Sequence, residues 1–279
     1  MKEARRHARR GGQRLGFVPT MGALHEGHLA LIRRVRDSVD SVVVSTFVNP
    51  TQFGPAEDFD RYPRDLARDA DLCASCAVDY VFAPEPEEIY PAGACTFVEV
   101  MGLSSRLEGA SRPLHFRGVT TVVLKLLEIV RPNVMALGQK DAQQALVVRR
   151  MAKDLLLDAE VLVLPTVRDP DGLALSSRNV FLSPEERRAA GAVPQALRAA
   201  EEAAGAGTQD PARIVAAARS VLEAEPGLRI DYLELVETDD LRPATVLAGE
   251  LLLAVAVFSG TTRLIDNVLL RFPSVAEPA

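Results

Sequence analysis

The sequence predicts an α/β protein with a doubly wound parallel sheet and a smaller C-terminal α+β domain. Up to residue 167, short apolar segments alternate with amphipathic segments of helical length. The short segments are continuous apolar runs, which is typical of strands covered by helices on both faces of a parallel sheet. After Pro170-Asp171-Gly172 the sequence becomes rich in Ala, Glu and Arg, which indicates a second domain.

The first domain, residues 1–167, is predicted to alternate strands with helices. The strands are apolar or β-branched runs at residues 15–18, 41–48, 80–82, 134–137 and 160–164. The helices have apolar residues at helical spacing and cover residues 29–39, 65–77, 118–130 and 142–155. Pro132 ends the third of these helices because proline lacks the backbone N–H that a helix needs.

The second domain, residues 168–279, is predicted to contain two helices followed by two strands. Ser183-Pro184 is a typical helix start, with a capping side chain followed by proline at the first helical position. This helix is predicted to run to residue 204, before Gly205-Ala206-Gly207. A second helix follows from Asp210-Pro211 to about residue 223. The strands are predicted at residues 230–236 and 251–258.

The composition excludes several classes of protein. The net charge of −6 argues against a broad nucleic-acid-binding surface. No run of eighteen apolar residues exists, so no membrane-spanning helix is expected. The first ten residues are basic but are not followed by an apolar segment, so they do not form a secretory signal. We expect a solvated helix that ends at Gly11-Gly12, in a cytoplasmic protein.

The three cysteines do not form a disulfide framework. Cys73 and Cys76 have the C-x-x-C spacing of redox motifs and of half a zinc site. No second pair of Cys or His ligands lies at zinc-finger spacing, so we interpret them as two small residues on a helix in a reducing compartment.

The segment after the first predicted strand contains two histidines, in His25-Glu26-Gly27-His28. The chain has only four histidines, and two of them lie at this strand–helix junction. In an open parallel sheet, ligands bind at the carboxyl ends of the strands, where a helix N-terminus offers N–H groups to phosphate. We therefore interpret the pair as part of a phosphate site. A metal site is the alternative, although no acidic or Cys partner at fixed spacing completes it.

Three further segments carry polar side chains close to strand ends or turns. Asn49 and Gln52 follow the second strand, and their amides suit a hydroxyl or a carboxylate. Gly138-Gln139-Lys140-Asp141 follows the fourth strand. Leu175-Ser176-Ser177-Arg178 follows the turn at Gly172, and its hydroxyls and guanidinium suit phosphate oxygens. Each segment alone could be an ordinary turn or helix cap, but together they favour one site.

These motifs resemble a known family. The His-x-Gly-His pattern after the first strand is similar to that of the nucleotidyltransferase-type Rossmann-like superfamily, which includes class I aminoacyl-tRNA synthetases. The longer stretches resemble the pantothenate synthetases (pantoate–β-alanine ligases): GFVPTMGALHEGHLAL, STFVNPTQFGPAEDFDRYPR, FRGVTTVVLKLLEIVRPN, GQKDAQQ and DGLALSSRN. They cover nearly the whole chain from Leu15 onward, in order.

The resemblance implies an ATP-dependent, AMP-forming ligase of coenzyme A biosynthesis. The carboxylate of pantoate would attack the α-phosphate of ATP, giving pantoyl adenylate and pyrophosphate, and the amine of β-alanine would then displace AMP. It also implies Mg²⁺ with the triphosphate, a homodimer, and no nucleic-acid or membrane partner. Residues 1–167 would bind ATP and pantoate in a Rossmann-like catalytic domain, and residues 168–279 would cover the active site.

The resemblance also implies roles for individual residues. The catalytic residues would be His28 as proton donor, with His25, Lys140, Ser176, Ser177 and Arg178. The ATP-binding residues would be Met21, Gly22, Ala23, Leu24, His25, Glu26, Gly27, His28, Gly138, Gln139, Lys140, Asp141, Val167, Leu175, Ser176, Ser177 and Arg178. Gln52, Gln144 and Asn49 would bind pantoate or β-alanine. Asp69 would bind magnesium.

The sequence departs from the family pattern at three places. Gln139 replaces an acidic residue, Leu175 replaces a methionine, and the N-terminal segment is shorter than is typical, as though a leading strand and turn were missing.

Two alternatives to a ligase are a nucleotidyltransferase that leaves the nucleotide on its product and a non-catalytic nucleotide sensor. Gln52 and Gln144 fit a small hydroxy-acid pocket and argue against the first. The intact Lys140, Arg178 and histidine pair argue against the second.

Overall fold

The structure, a computed structural model, describes Met1, residues 12–55 and residues 59–273. The basic helix predicted before Gly12 therefore lies outside the described residues. The chain divides into two compact units, Met1–Val167 and Arg168–Ala279, and each has its own sheet and core.

The first unit contains a five-stranded sheet. Its strands are β1 (Leu15–Thr20), β2 (Ser41–Thr46), β3 (Tyr80–Phe82), β4 (Val134–Gly138) and β5 (Glu160–Leu164). The spatial order is β3-β2-β1-β4-β5, and every neighbouring pair is parallel. The chain order therefore reverses between β1 and β4, which is the point where ligands bind in doubly wound sheets. The predicted doubly wound parallel sheet is confirmed.

Helices connect and cover these strands. They are α1 (Glu26–Arg36), α2 (Leu66–Ser75), α3 (Pro86–Ile89), α4 (Glu108–Ser111), α5 (His115–Val130) and α6 (Ala142–Asp154). The short helices α3 and α4 were not predicted because four residues are too few to show a helical period. None of the described helices in the chain is long and apolar enough to cross a membrane.

The continuous apolar strands are buried because helices cover both faces of the sheet. On one face, Val18 of β1 and Val44 of β2 pack with Ile32 and Val35 of α1 and with Cys73 of α2. On the other face, α5 packs against β1 and α6 against β4. Side chains that alternate along β1 and β2 thus enter different parts of the core, and both parts are apolar.

Cys73 and Cys76 are core residues of the first unit. Both side chains are buried in the cluster between α1, α2 and the sheet. Burial, followed by the charge of Asp69, raises the pKa of the Cys73 thiol to about 11. The thiol is therefore protonated and unreactive at neutral pH. This agrees with the interpretation of both cysteines as small buried residues.

We expect the double variant Cys73→Ala/Cys76→Ala to keep its kcat within about twofold and to lose about 1–2 kcal/mol of stability. The reason is that the change removes two buried sulfur atoms and no functional group. Steady-state turnover and urea unfolding of the same sample measure both quantities. Loss of turnover with unchanged stability would mean that the thiols take part in the reaction.

Within residues 168–273 the second unit forms three strands, one more than predicted. A short 3₁₀ helix at Ser177–Phe181 is followed by α7 (Pro184–Ala190), α8 (Ala192–Gly205), α9 (Pro211–Glu223), β6 (Leu228–Glu237), β7 (Glu250–Ser259) and β8 (Thr262–Arg271). The sheet is antiparallel, in the order β6-β7-β8, and α8 and α9 cover one face with an apolar core. The predicted α+β class of this unit is confirmed.

Two expectations for this unit were wrong. The single helix predicted for residues 184–204 is divided at Gly191, where α7 ends and α8 begins. The strand β8 was missed because it carries Asp266 at a buried position, where the sequence gives no apolar signal. Asp266 is 2% exposed and is paired with Arg168 at 2.5 Å, so a distant partner compensates for its charge.

Candidate active site

Three loops of the first unit meet at one edge of the parallel sheet. β1 pairs in parallel with β2 and with β4, so the carboxyl ends of the three strands lie side by side. The loop after β1 contains the two histidines. The turn after β2 contains Asn49 and Gln52, and the turn after β4 contains Lys140. The sequence predicted this convergence from the position of each segment, and the parallel pairing explains it.

The loop after β1 has a tightly specified backbone. Gly22 and Ala23 both have left-handed conformations, with φ values of 79° and 51°. A β-carbon on Gly22 would lie 2.9 Å from Oδ2 of Asp69, so only glycine fits there. The N–H groups of Ala23 and Leu24 donate to the two carboxylate oxygens of Asp69, at 2.9 and 2.8 Å. Asp69 thus holds the loop in the conformation that precedes the histidines.

These contacts do not fit the magnesium-ligand role predicted for Asp69. The side chain is 2% exposed, and each of its oxygens already accepts a backbone hydrogen bond. Among the described residues, no group of three or more His, Cys, Asp or Glu side chains could hold a metal ion. Asp69 is a structural anchor of the loop, a role that the sequence did not reveal.

The two histidines lie at the start of α1 with their rings in contact. Their ring centroids are 4.1 Å apart. His25 precedes the helix, and its backbone N–H donates to Nδ1 of His28 at 3.3 Å. Because Nδ1 accepts this hydrogen bond, the hydrogen of a neutral His28 ring lies on Nε2, which is left as a donor.

The electrostatic surroundings keep His28 neutral. Burial, assisted by the neighbouring His25 and by Lys140, lowers the pKa of His28 to about 3, while Asp141 acts in the opposite direction. The charges of Lys140 and Asp141 act on His28 because the loops after β1 and β4 are neighbours. At neutral pH the ring of the free protein is therefore a hydrogen-bond donor and not a cation.

The turn after β2 is organised around Asn49. This side chain is 1% exposed and donates from Nδ2 to Oε1 of Gln52 at 3.0 Å and to the carbonyl of Gly118 at 3.2 Å. Its Oδ1 accepts from the hydroxyls of Thr51 and Tyr90. These contacts do not fit the direct substrate contact predicted for Asn49, because both of its polar atoms bind protein. They fit a residue that supports Gln52.

The turn after β4 places a cation beside the histidines. Gln139–Asp141 form a single 3₁₀ turn, and Nζ of Lys140 lies 3.4 Å from Oδ1 of Asp141. The Lys140 side chain is 22% exposed, which leaves it accessible to a ligand. Gln144 is a half-buried residue in the first turn of α6.

The predicted residues of the second unit lie in one capped turn. Ser176 accepts a hydrogen bond at Oγ from the N–H of Arg178 at 3.3 Å and caps the 3₁₀ helix Ser177–Phe181. Leu175, Ser176, Ser177 and Arg178 are all half-buried. Val167 is the last residue of the first unit, three residues beyond β5. The nucleotide contacts expected for these residues remain predictions.

A comparison with protein families identifies this arrangement. Residues 1–269 match the family model described as pantoate-beta-alanine ligase. The chain belongs to the pantoate-beta-alanine ligase family. Similar proteins support this assignment, because they align with nearly the whole of this chain. Pantothenate synthetase from Pelotomaculum thermopropionicum is 56% identical over 95% of this chain and 94% of its own length. The one from Moorella thermoacetica is 55% identical over 94% and 93%.

Solved structures of the ligase family have the same fold. The crystal structure of pantothenate synthetase from Thermus thermophilus has a TM-score of 0.89 and 50% identity, over 91% of this chain and 92% of that one. The Francisella tularensis pantoate-beta-alanine ligase, complexed with beta-gamma ATP and beta-alanine, has a TM-score of 0.75 and 38% identity, over 92% and 90%. This chain is therefore an ATP-binding ligase of pantothenate biosynthesis.

The neutral state of His28 predicts that acid destabilises the ligase. The unfolded chain binds a proton at this ring near pH 6.5, whereas the folded chain binds it only near pH 3. Stability is therefore highest above pH 6.5 and falls as the pH decreases toward 3. Between pH 6.5 and 5.5 this single group removes about 1 kcal/mol.

Urea unfolding at pH 7.5, 6.5 and 5.5 measures this loss. His28→Asn is the matched control, because its Oδ1 can accept the His25 N–H as Nδ1 does but does not titrate. We expect the loss between pH 6.5 and 5.5 to be about 1 kcal/mol smaller in the variant. An equal loss in both proteins would show that His28 titrates normally.

Proposed function

We propose that the protein condenses (R)-pantoate with β-alanine in two steps, through a pantoyl adenylate. The reaction consumes ATP and is part of coenzyme A synthesis. The observation that carries this proposal is the meeting of the His25–His28 loop, the Gln52 turn and the Lys140 turn at one sheet edge. This edge combines hydrogen-bond donors and a cation, which suit phosphate, with side-chain amides, which suit a hydroxy acid.

In the first step, a carboxylate oxygen of pantoate attacks the α-phosphorus of ATP, and the bond to pyrophosphate breaks. Negative charge develops on the phosphate oxygens and on the leaving pyrophosphate. The Nε2–H of His28 and the ammonium of Lys140 are suited to stabilise it. Contacts of Ser176, Ser177 and Arg178 with the phosphates stay a prediction from the family resemblance. His25 contributes by donating its backbone N–H to His28, which fixes the ring.

In the second step, the amine of β-alanine attacks the acyl carbon of the adenylate, and AMP leaves with one former carboxylate oxygen. No side chain becomes bonded to the substrate. The role of the protein is to hold carboxylate and phosphate in position for attack, which removes an entropic barrier. Gln52 and Gln144 are the amides that we assign to pantoate, with Gln52 also facing the β-alanine site.

Magnesium is not assigned to a carboxylate of the protein. The hydrogen bonds of Asp69 do not fit a ligand role. We propose instead that Mg²⁺ would be held by the phosphates of bound ATP and would supply positive charge there. The homodimer and the covering role of residues 168–279 remain predictions from the family resemblance.

Oxygen labelling tests the adenylate directly. We would supply pantoate with ¹⁸O in its carboxylate, together with ATP, magnesium and β-alanine, and analyse the AMP by mass spectrometry. One ¹⁸O per AMP and one amide per ATP are expected, because the attacking oxygen stays on phosphorus. Unlabelled AMP would overturn the adenylate. A nucleotide that remained on a stable product would indicate a nucleotidyltransferase, and ATP binding without turnover would indicate a sensor.

Replacing Gln144 by Ala is expected to weaken pantoate binding more than ATP binding. The change removes one amide that we assign to pantoate and leaves Lys140 and the histidines in place. We expect the KM for pantoate to rise by about tenfold or more, as for a lost hydrogen bond to a polar substrate group, and the KM for ATP to change less than threefold. Equal increases in both constants would contradict the assignment of Gln144 to pantoate.

A further inference from the structure

The backbone of Gln52 is held by a segment far away in the chain, residues 103–115. Nδ1 of His115, at the start of α5, lies 2.9 Å from the Gln52 carbonyl oxygen, and a guanidinium nitrogen of Arg112 lies 3.4 Å from the same oxygen. His115 is buried. The second terminal nitrogen of the Arg112 guanidinium lies 3.3 Å from Nε2 of His115. Because guanidinium can only donate, Nε2 accepts and Nδ1–H donates to Gln52.

These contacts determine which atom of Gln52 is presented to a ligand. Its carbonyl accepts from His115, and its Oε1 accepts from Asn49 at 3.0 Å. The remaining polar group is Nε2, whose contact is the sulfur of Met21 at 3.1 Å. Sulfur is a weak acceptor, so a substrate carboxylate or hydroxyl can replace it.

The same segment is tied at its other end to α6. Gln143 is buried, and its Oε1 accepts the N–H of Glu108 at 3.0 Å. Its Nε2 donates to the carbonyls of Leu103 and Arg106, at 2.7 and 2.8 Å. Gln143 is thus fully used in fixing this segment to the first turn of α6, one residue before Gln144.

A continuous set of polar contacts therefore connects the two glutamines. Glu108, fixed by Gln143, lies 3.7 Å from Arg112, and Arg112 contacts both His115 and the Gln52 carbonyl. The backbone of α5 also fits closely against this turn. A β-carbon on Gly118 would lie 2.4 Å from the Thr51 carbonyl oxygen, so no larger residue is tolerated there.

We propose that His115 and Gln143 are positioning residues that hold Gln52 and Gln144 at the spacing required by one pantoate molecule. This inference rests on the proposed function, because it assigns those two glutamines to pantoate. His115 acts through the carbonyl of Gln52, and Gln143 acts through the backbone beside Gln144. Neither touches substrate, and neither contributes to the binding of ATP.

The test compares the Michaelis constants for the two substrates in His115→Phe, His115→Asn and Gln143→Leu. His115→Phe and Gln143→Leu remove the hydrogen bonds while retaining much of the side-chain volume. We expect the KM for pantoate to rise about tenfold and the KM for ATP to stay within twofold. His115→Asn places an amide N–H near the position of Nδ1 and should recover most of the lost affinity. An unchanged KM for pantoate, or an equal rise for ATP, would overturn the proposal.

Two further comparisons separate this inference from the proposed function. If Gln52→Ala does not raise the KM for pantoate, the assignment of Gln52 to pantoate fails. If it does, and His115→Phe has no effect, the positioning inference alone fails. In the double variant Gln52→Ala/His115→Phe, the effect of His115→Phe on pantoate should largely disappear, because the amide side chain that His115 positions is gone.

The test remains decisive if the His115→Phe variant does not fold. His115→Gln then replaces it, because the amide of glutamine corresponds to Nε2 of the imidazole and not to Nδ1. The Gln variant should show the raised KM for pantoate and the Asn variant should not. Equal behaviour of the two would contradict a role for the Nδ1–H hydrogen bond.

Discussion

Replacing His28 by Ala should lower kcat by about a hundredfold or more. This is the effect expected when a hydrogen-bond donor to developing phosphate charge is lost. In the proposed mechanism the group responsible is the Nε2–H of a neutral ring, since Nδ1 accepts the N–H of His25 and burial lowers the ring's pKa to about 3. The KM for pantoate should change much less than kcat.

Two other substitutions at His28 separate its functional group from its structural contact. His28→Asn can retain the acceptor for the His25 N–H but loses the outer donor. His28→Gln can retain an N–H near the position of Nε2 but loses the acceptor. Single-turnover formation of pyrophosphate measures the first step for each variant. We expect Asn to be as slow as Ala and Gln to be the fastest of the three variants. A near-normal rate of pyrophosphate formation in His28→Asn would mean that His28 serves only to cap the start of the helix.

The parallel sheet was predictable from the sequence because its central strands are buried on both faces. Val42, Val43 and Val44 of β2 are all fully buried, so the strand is a continuous apolar run that differs from any amphipathic helix. The ends of α1 were less predictable. The helix begins at Glu26, whereas the sequence predicted a start at Leu29, because the apolar period is visible only after the His28 position.

The candidate site was predictable as a set of loops but not as a set of contacts. Parallel strands bring their carboxyl ends together, so His28, Gln52 and Lys140 could be expected at one edge of the sheet. The supporting residues could not be expected, because each acts on a backbone group distant in the chain. The sequence pattern of α2 marks Asp69 as one more acidic helical residue, and only the fold brings it to the loop after β1.

Replacing Asp69 by Asn should both destabilise the protein and weaken ATP binding. Asp69 is 2% exposed and accepts the N–H groups of Ala23 and Leu24, one at each oxygen. In Asn one oxygen becomes an NH₂ group, which would face an N–H donor. Leaving one buried N–H unsatisfied costs about 1–3 kcal/mol. The left-handed conformations of Gly22 and Ala23 also lose the contact that maintains them, so we expect the KM for ATP to rise about tenfold or more.

Stability without metal distinguishes the anchor from the predicted magnesium ligand. The measurement is urea unfolding of the wild type and of Asp69→Asn in EDTA, with no nucleotide present. An anchor predicts a loss of about 1–3 kcal/mol under these conditions, because the broken hydrogen bonds are internal to the protein. A magnesium ligand predicts no loss in EDTA and recovery of the KM for ATP at high magnesium. Asp71, an exposed acid on the same helix, gives the matched control Asp71→Asn, which should change neither quantity, because the hydrogen bonds from α2 to the loop come from Asp69 and Arg68.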